Sequence, residues 1–278
     1  MLSRLMYDVV CGAGTHLCRR RGRPFFDRLV RAANYFHWRM HNVNFEMTRN
    51  GELRVLRRLA VVEPKCLFDV GANYGEWSQQ AARMYPSCAI HAFEIVPSTY
   101  EELLRQTRGV TTLVPNSFGL SDETGTVTIH LARDDPLTAT ACKIEGMRAH
   151  EESYDRTLAC RVRKAADYVR EKRIDRIDFV KIDVEGMDLR VIKGFEEQLA
   201  LVRALQFEYG HFNIGSRDLL RDFCRYLNGR GFVVGKVLPR WVEFFEYHFD
   251  RENFYGSNYL AVRQDEEALI RSLSQFGA

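Results

Sequence analysis

Apolar residues along the chain switch between a spacing of two and a spacing of three or four, which predicts strands that alternate with helices. The first half of the chain also contains turn residues and alternating threonines at 121–132, which predict a short hairpin. Strands are predicted at 65–71, 88–97 and 110–119, and helices at 53–63, 75–86 and 98–109.

The alternation continues after an irregular segment. Residues 132–156 lack periodicity and are rich in charged and small polar residues, which predicts a mobile surface segment or a lid. Beyond it, Ser216 is a candidate helix N-cap and Gly194 marks a bend or break in a helix. Strands are predicted at 177–184, 202–210, 232–238 and 259–264, and helices at 163–173, 187–199 and 216–231.

Strands that alternate with helices predict an α/β fold with a mostly parallel sheet covered on both faces. The last two strands are separated by an aromatic loop rather than a helix, which predicts an antiparallel strand at one edge of the sheet. In open sheets of this kind, ligands bind at the carboxyl ends of the strands. Functional residues are therefore expected where the strands end.

The composition narrows the class of protein. The 278 residues allow one large domain with an appendage, and no apolar run approaches the length that spans a bilayer. Asp8 interrupts the apolar stretch at the N-terminus, so a secretory signal is not expected. The seven cysteines are scattered and form no CxxC pair, which favours a reducing, cytoplasmic location.

The front of the chain is strongly basic. Residues 1–58 contain twelve arginines and four acidic residues, a formal charge of +8, whereas the remainder carries −5. We therefore predict a basic helical arm at 1–58 and a main domain at 59–278. The arm could contact nucleic acid, a phosphorylated substrate or an anionic membrane surface, the last at the inner face of the cell membrane. The alternative for 28–40, where arginines alternate with aromatic residues, is a packed helix with a basic outer face.

The stretch FDVGANYG at 68–75 ends the first predicted strand with two glycines. Gly71 and Gly75 would let the backbone approach a ligand, but the lysine of a P-loop and the GxGxxG of dinucleotide-binding proteins are both missing. Asp69 would repel a phosphate and attract an ammonium group. Glu94, at the end of the second strand, is positioned to bind ribose hydroxyls. An amino group, a ribose and no phosphate together indicate S-adenosylmethionine (SAM). Taken one at a time, these residues also have structural explanations: the glycines could be turn residues, Asp69 a helix cap and Glu94 a surface acid.

The segments FDVGANYGEWS, AFEIVP, VPNSFGLSDETGTV and FVKIDVEGMDLRVIKG resemble the FkbM-type SAM-dependent methyltransferases over roughly residues 60–262. The resemblance implies a Rossmann-like class I methyltransferase fold with a seven-stranded sheet and one antiparallel edge strand. It also implies SAM as methyl donor, and sugars or natural products as acceptors. The residues that it assigns to the cofactor are Asp69, Gly71, Ala72, Asn73, Tyr74, Gly75 and Glu94, with Asn116 and Ser117 beside the adenine.

A second group of polar residues follows the later strands. Asp183 and Glu185 lie in KIDVEG, and Glu208 and His211 lie in FEYGH. Methyl transfer to a hydroxyl requires removal of its proton, so these four are the candidate catalytic residues. Asp183 could instead orient the amino group of the cofactor, and Glu185 could cap a helix. Asp183 and Glu208 could also jointly hold a magnesium ion, and the alternative is a metal-free site.

These residues favour a SAM-dependent methyltransferase that methylates a sugar hydroxyl on a carbohydrate, glycolipid or glycosylated metabolite. Trp241 and Tyr247, in the aromatic loop, are candidate walls of the acceptor pocket. A homo-oligomer is compatible with the sequence, and a nucleic-acid partner is not expected. The alternatives are an N-methyltransferase and a non-catalytic SAM-fold domain that binds a membrane or polyanion through the arm. A nicotinamide-dependent oxidoreductase is disfavoured because GxGxxG is absent.

Overall fold

The predicted strands form two sheets in the computed structural model, which describes residues 4–132, 139–142 and 154–276. The strands are β1 (Cys66–Val70), β2 (Ala89–Phe93), β3 (Leu113–Asn116), β4 (Gly119–Ser121), β5 (Gly125–Ala132), β6 (Tyr154–Lys164), β7 (Phe179–Ile182), β8 (Ala204–Tyr209), β9 (Phe232–Val237), β10 (Val242–Phe244) and β11 (Ser257–Arg263). The main sheet has the order β10-β9-β11-β8-β7-β1-β2-β3.

The main sheet confirms the predicted α/β class but differs in detail. Strands β3, β2, β1, β7 and β8 are parallel. Strand β11 is antiparallel to both β8 and β9, so it lies inside the sheet, while β10 is the antiparallel edge strand. The described sheet therefore has eight strands rather than seven, because three residues of the aromatic loop pair with β9.

A smaller sheet has the order β4-β6-β5. The hairpin predicted at 121–132 is wrong, because β5 pairs antiparallel with β6, an eleven-residue strand that the sequence pattern did not indicate. Of the predicted lid, residues 133–138 and 143–153 lie outside the described residues. Between them, buried Thr140 exchanges two backbone hydrogen bonds with His130 on β5.

Helices cover both faces of the main sheet, as the alternation predicts. The helices are α1 (Arg4–Cys18), α2 (Pro24–Met40), α3 (Glu52–Arg58), α4 (Glu76–Met84), α5 (Pro97–Gln106), α6 (Ala165–Lys172), α7 (Asp188–Gly194), α8 (Phe212–Ser216), α9 (Leu220–Asn228) and α10 (Glu267–Ser274). One core cluster includes Tyr168 of α6 and Phe223 of α9. A second includes Leu56 of α3, Trp77 of α4 and Leu269 of α10.

The predicted cap of the helix at 216–231 is wrong. Ser216 ends the short helix α8, and Arg217 has a positive φ of 63°, which separates α8 from α9. Helix α9 begins at Leu220 instead. Its first N–H groups, those of Leu220 and Arg221, donate to the carboxylate of Glu252. A distant carboxylate thus replaces the local serine cap, and it is an equally suitable acceptor at a helix N-terminus.

The chain divides into two compact units, Met1–Val43 and Asn44–Ala278. Helix α3 contributes buried Leu53, Val55 and Leu56 to the second unit. The boundary predicted at residue 58 stays a prediction. In the first unit, helix α2 forms as expected, but none of its residues is buried. No described helix is long and apolar enough to cross a membrane.

Candidate active site

The parallel strands end at a cleft of about 930 Å³. The loops after β1 and β7 meet here, because the N–H of Asp183 donates to the carbonyl of Val70. The cleft thus lies at the carboxyl edge of the sheet, where ligands bind in open α/β folds. Its lining includes these predicted site residues: Gly71, Ala72, Asn73, Tyr74, Glu94, Asp183, Glu185, Glu208 and His211.

The glycines after β1 are required by neighbouring protein atoms. Gly71 has a φ of +81°, and a Cβ there would lie 1.9 Å from the carbonyl oxygen of Asp183. At Gly75, with a φ of +84°, a Cβ would lie 2.6 Å from a methyl carbon of Leu103. Both positions therefore exclude side chains for conformational and steric reasons. Their effect is to hold the loop 71–75 tightly against β7 and α5.

Glu94 fixes this loop from the end of β2. Its carboxylate accepts hydrogen bonds from the backbone N–H of Asn73, at 2.9 Å, and of Val96, at 2.8 Å. Burial raises the pKa of the Glu94 carboxyl, although these backbone donors oppose the shift. The side-chain oxygen of Asn73 is also buried and has no hydrogen-bond partner among the described residues. The loop therefore contains a hydrogen-bond acceptor, the Asn73 side-chain oxygen, to which no described group donates.

Asp69 lies beneath the cleft rather than in its lining. It is fully buried, and Ser78 Oγ donates to its Oδ2 at 2.7 Å. In the register of the sheet, Asp69 pairs with Lys181 on β7, and Lys181 pairs with Gln206 on β8. All three side chains are at least nine-tenths buried. A polar row thus crosses the three central strands below the site.

Lys181 is a cleft residue that the sequence analysis missed. Its Nζ lies 3.0 Å from Asp183 Oδ2 and 3.9 Å from Asp69 Oδ1. Burial acts to lower the pKa of Lys181, but the two carboxylates outweigh it and raise the pKa above its usual range. The signal was present in KIDVEG, since a lysine inside a buried strand requires an anionic partner.

Asn116 and Ser117 do not line the cleft in the part of the chain that the structure describes. Asn116 is buried, and its amide donates to the carbonyls of Ala92 and Val114, while Ser117 is exposed. Their predicted place beside the adenine stays a prediction. The described lining on this side comes from β4 and β5 of the small sheet, which the sequence analysis did not connect to the site, and includes Gly119, Leu120, Ser121, Thr126 and Thr128.

Carboxylates gather in the cleft around the ends of β7 and β8. Asp183, Glu185 and Glu208 line it, with His211 next to them. Burial, followed by the charges of Asp183 and Glu185, raises the pKa of Glu208 well above its usual range. Below them, buried Asp188 accepts the backbone N–H of Glu208 at 3.0 Å. Burial raises the pKa of Asp188 to about 7.

Four further residues at this end were missed because they lie far from the motifs in sequence. Phe45, Asn50 and Glu52 come from the segment before β1, and Asn258 comes from β11. Asn258 pairs with Glu208 in the register of the sheet. Glu52 opens a helix that the periodicity predicted, but periodicity does not indicate which end of a helix borders a site.

The aromatic loop does not supply the predicted wall. Neither Trp241 nor Tyr247 lines the cleft among the described residues. The Trp241 ring lies 4.5 Å from that of Phe276, and Tyr247 donates to Glu252 at 2.9 Å.

The described residues contain no group of three or more His, Cys, Asp or Glu side chains that could hold a metal ion. The magnesium site at Asp183 and Glu208 is thus without support, and the Lys181 ammonium already lies beside Asp183.

Comparisons with known proteins agree with the motifs. The methyltransferase FkbM domain model matches residues 69–234. Methyltransferase sdnD of Sordaria araneosa is 29% identical over 160 residues, covering 48% of this chain and 61% of sdnD. Hexuronic acid methyltransferase AglP of Haloferax volcanii is 26% identical over 211 residues, covering 72% of this chain and 80% of AglP.

Among solved structures, the methyltransferase FkbM of Methylobacillus flagellatus aligns with a TM-score of 0.45 and 15% identity. The alignment covers 72% of this chain and 44% of that one. The chain thus spans less than two thirds of sdnD and of the Methylobacillus protein. Because the family model matches more than half of the sequence, this protein belongs to the FkbM methyltransferase family.

Proposed function

We propose that this protein is a SAM-dependent methyltransferase that transfers a methyl group to a hydroxyl of a sugar. The observation that carries the proposal is the cleft at the carboxyl ends of the strands, where a glycine loop braced by Glu94 follows β1 and three carboxylates lie around the ends of β7 and β8. The family supports methyl transfer, and the similarity to AglP, a hexuronic acid methyltransferase, supports a sugar acceptor.

The loop after β1 fits the cofactor by its donor and acceptor chemistry. The unpartnered Asn73 oxygen is a suitable acceptor for an ammonium group. Glu94 has a second lone pair on each oxygen with which to bind ribose hydroxyls. When bound, SAM supplies an electrophilic methyl group. Asp69 supports the site from below through Lys181, and Lys181 in turn holds Asp183.

The acidic end would receive the acceptor and its proton. A carboxylate with a raised pKa binds a proton more strongly than an ordinary one, which makes ionised Glu208 a suitable general base. His211 is the second candidate for this role, since an imidazole accepts protons near neutral pH. Asp183 and Glu185 would bind neighbouring hydroxyls. Methylation of an amine at the same end remains the alternative reaction.

Calorimetry and labelled SAM test the proposal. We expect SAM and its demethylated product, S-adenosylhomocysteine, to bind and NAD not to bind. Glu208→Gln and His211→Ala should lower methyl transfer at least tenfold while the dissociation constant of SAM changes little. Glu267→Gln, which changes an exposed side chain of α10, is the matched control. A folded protein without affinity for SAM would exclude the proposal, leaving the non-catalytic alternative.

We also propose that helix α2 attaches the protein to an anionic membrane surface. At 100° per residue, Phe25, Leu29, Phe36 and Met40 lie within a sector of about 60°, and Arg28, Arg31 and Arg39 lie outside it. These four side chains are half or more exposed. Helices of this kind lie in the plane of anionic membranes. The predicted cytoplasmic location and homo-oligomer stay predictions.

Vesicle flotation tests the membrane proposal. We expect binding to phosphatidylglycerol vesicles and weak binding to phosphatidylcholine vesicles, because the arginines require anionic headgroups. Changing Phe25 and Phe36 to serine should release the protein without affecting methyl transfer. Equal flotation of this variant and the unaltered protein would exclude the proposal.

A further inference from the structure

Glu52 is a buried carboxylate at the acceptor end of the cleft and is held by three amides. It is 8% exposed and lines the cleft. Its oxygens accept from Asn50 Nδ2 at 2.5 Å, Asn258 Nδ2 at 3.1 Å and Gln206 Nε2 at 3.2 Å. Asn50 also accepts the backbone N–H of Glu52 at 3.0 Å. Three separate parts of the chain thus converge to fix one carboxylate.

This arrangement is a costly way to stabilise a core. A buried carboxylate loses its hydration, and neutral amides compensate for that loss less well than a cation would. Within the described part of the chain, the hydrogen bonds to Glu52 come from amides alone, and the Lys181 ammonium acts on Glu52 through its charge while it contacts Asp183 at 3.0 Å. An ion pair, by contrast, supports the buried Asp178, which contacts Arg176 at 2.7 Å. The difference favours a role for Glu52 toward a ligand.

The described cations of the cleft are already paired with carboxylates. Lys181 contacts Asp183 and lies near Asp69. Arg190 donates to Asp122 and Glu123, each at 2.8 Å. Glu52, Asp183, Glu185 and Glu208 meanwhile lie at the same end of the cleft. A carboxylate or phosphate on the acceptor would therefore meet repulsion there rather than a cation.

We propose that Glu52 and Asn258 form an acceptor subsite that binds the hydroxyl groups of a sugar that carries no negative charge beside the methylated position. The inference rests on the proposed function and specifies its substrate class: a neutral or amino sugar rather than a uronic acid or a sugar phosphate. Carboxylate oxygens accept hydrogen bonds from sugar hydroxyls, and the carbonyl oxygen of Asn258 adds a further acceptor.

The surroundings of Glu52 fit such a ligand. Asn258 lies opposite Glu208 across β8 and β11, so the subsite adjoins the proposed base. Phe45, which is 73% exposed, also lines this end and offers an apolar ring to the carbon face of a sugar. Phe45, Glu52 and Asn258 lie outside the segment 69–234 that matches the family domain. The flanking segments would thus give this chain its own acceptor preference.

Matched acceptor pairs test the subsite on the full-length protein. We would measure methyl transfer from labelled SAM to para-nitrophenyl glucoside and para-nitrophenyl glucuronide, and also the binding of both to protein saturated with S-adenosylhomocysteine. We expect the glucoside to be preferred at least tenfold. Glu52→Gln should raise the KM or Kd of the glucoside about tenfold and leave SAM affinity unchanged. Glu267→Gln, an exposed carboxylate, should change neither.

The two measurements separate this inference from the proposed function. Selective glucoside binding that depends on Glu52, but without turnover, would keep the subsite and overturn sugar methylation. Preference for the glucuronide, or unchanged glucoside affinity in Glu52→Gln, would overturn the subsite. If Glu52→Gln does not fold, Asn258→Ala decides, since it removes one of the two subsite residues and leaves Glu52 with two amide donors. Unchanged glucoside affinity in that variant would likewise overturn the subsite.

Discussion

The buried ammonium of Lys181 lies between two carboxylates, Asp69 below the cleft and Asp183 in its lining. Removing one member of a buried ion pair leaves an uncompensated charge, which costs about 3 to 5 kcal/mol. We therefore expect Lys181→Met to lower the free energy of unfolding by about 3 kcal/mol, measured by urea denaturation.

A second substitution separates charge from packing at this position. Asp69→Asn keeps the shape of the side chain and its contact with Ser78 but removes the buried charge. The double variant Asp69→Asn, Lys181→Met should therefore be more stable than the sum of the single losses implies. Losses that add within about 0.5 kcal/mol would contradict an ionic role for the pair.

We predict that Asp188 makes the stability of the protein depend on pH. Burial raises its folded pKa from 3.8 to about 7. Between these values, the unfolded chain has lost the proton while the folded protein retains it, so stability falls as pH rises and levels off above 7. We expect the free energy of unfolding to drop by about 2 kcal/mol between pH 5 and 8, relative to Asp188→Asn.

Asp188→Asn is the control for this pH dependence because it still offers an oxygen to the N–H of Glu208. It should be more stable than the unaltered protein at pH 8, with the difference narrowing at pH 5. Parallel stability curves for the two proteins across this range would show that Asp188 ionises in the folded state as an ordinary carboxyl does.

At the scale of elements, helix α7 packs against strand β4 so closely that its last residue must be glycine. A Cβ at Gly194 would lie 1.9 Å from the carbonyl oxygen of Ser121. Alanine in a helix is otherwise favoured over glycine by about 1 kcal/mol. The steric cost outweighs this preference, so we expect Gly194→Ala to lose about 2 kcal/mol of stability.

Gly125→Ala provides the matched control, because Gly125 begins β5 and nothing lies within 4 Å of a Cβ placed there. Its melting temperature should remain close to that of the unaltered protein. Equal melting temperatures for Gly194→Ala and Gly125→Ala would contradict the close packing of α7 against β4.

The sequence predicted local elements well and their distant partners poorly. Periodicity indicated β1, β2, β7 and β8, and the end of each strand brought the motif residues to one cleft. It could not indicate that β5 pairs with β6, or that β11 lies between β8 and β9, because pairing depends on the whole fold. Glu52 and Asn258 were missed for the same reason. Tertiary packing brings them to the cleft, and neither lies in a motif.

At the scale of the whole molecule, the position of the boundary decides whether the main domain can fold. Leu53, Val55 and Leu56 of α3 are buried in the second core cluster. At about 2 kcal/mol for each buried side chain, their removal costs about 6 kcal/mol. This is comparable to the total stability of a typical domain, about 5 to 15 kcal/mol. A chain that begins at residue 59 is therefore expected to be unfolded or aggregated.

A chain that begins at Asn44 keeps α3, Glu52 and the complete second unit. We expect it to unfold in a single cooperative transition and to bind SAM with the affinity of the full-length protein, while losing binding to anionic vesicles together with α2. Circular dichroism during heating, calorimetry with SAM and vesicle flotation would compare the full-length chain with the two truncated ones. Cooperative unfolding of the chain that begins at residue 59, with SAM affinity retained, would instead locate the boundary at residue 58 and make α3 dispensable to the main domain.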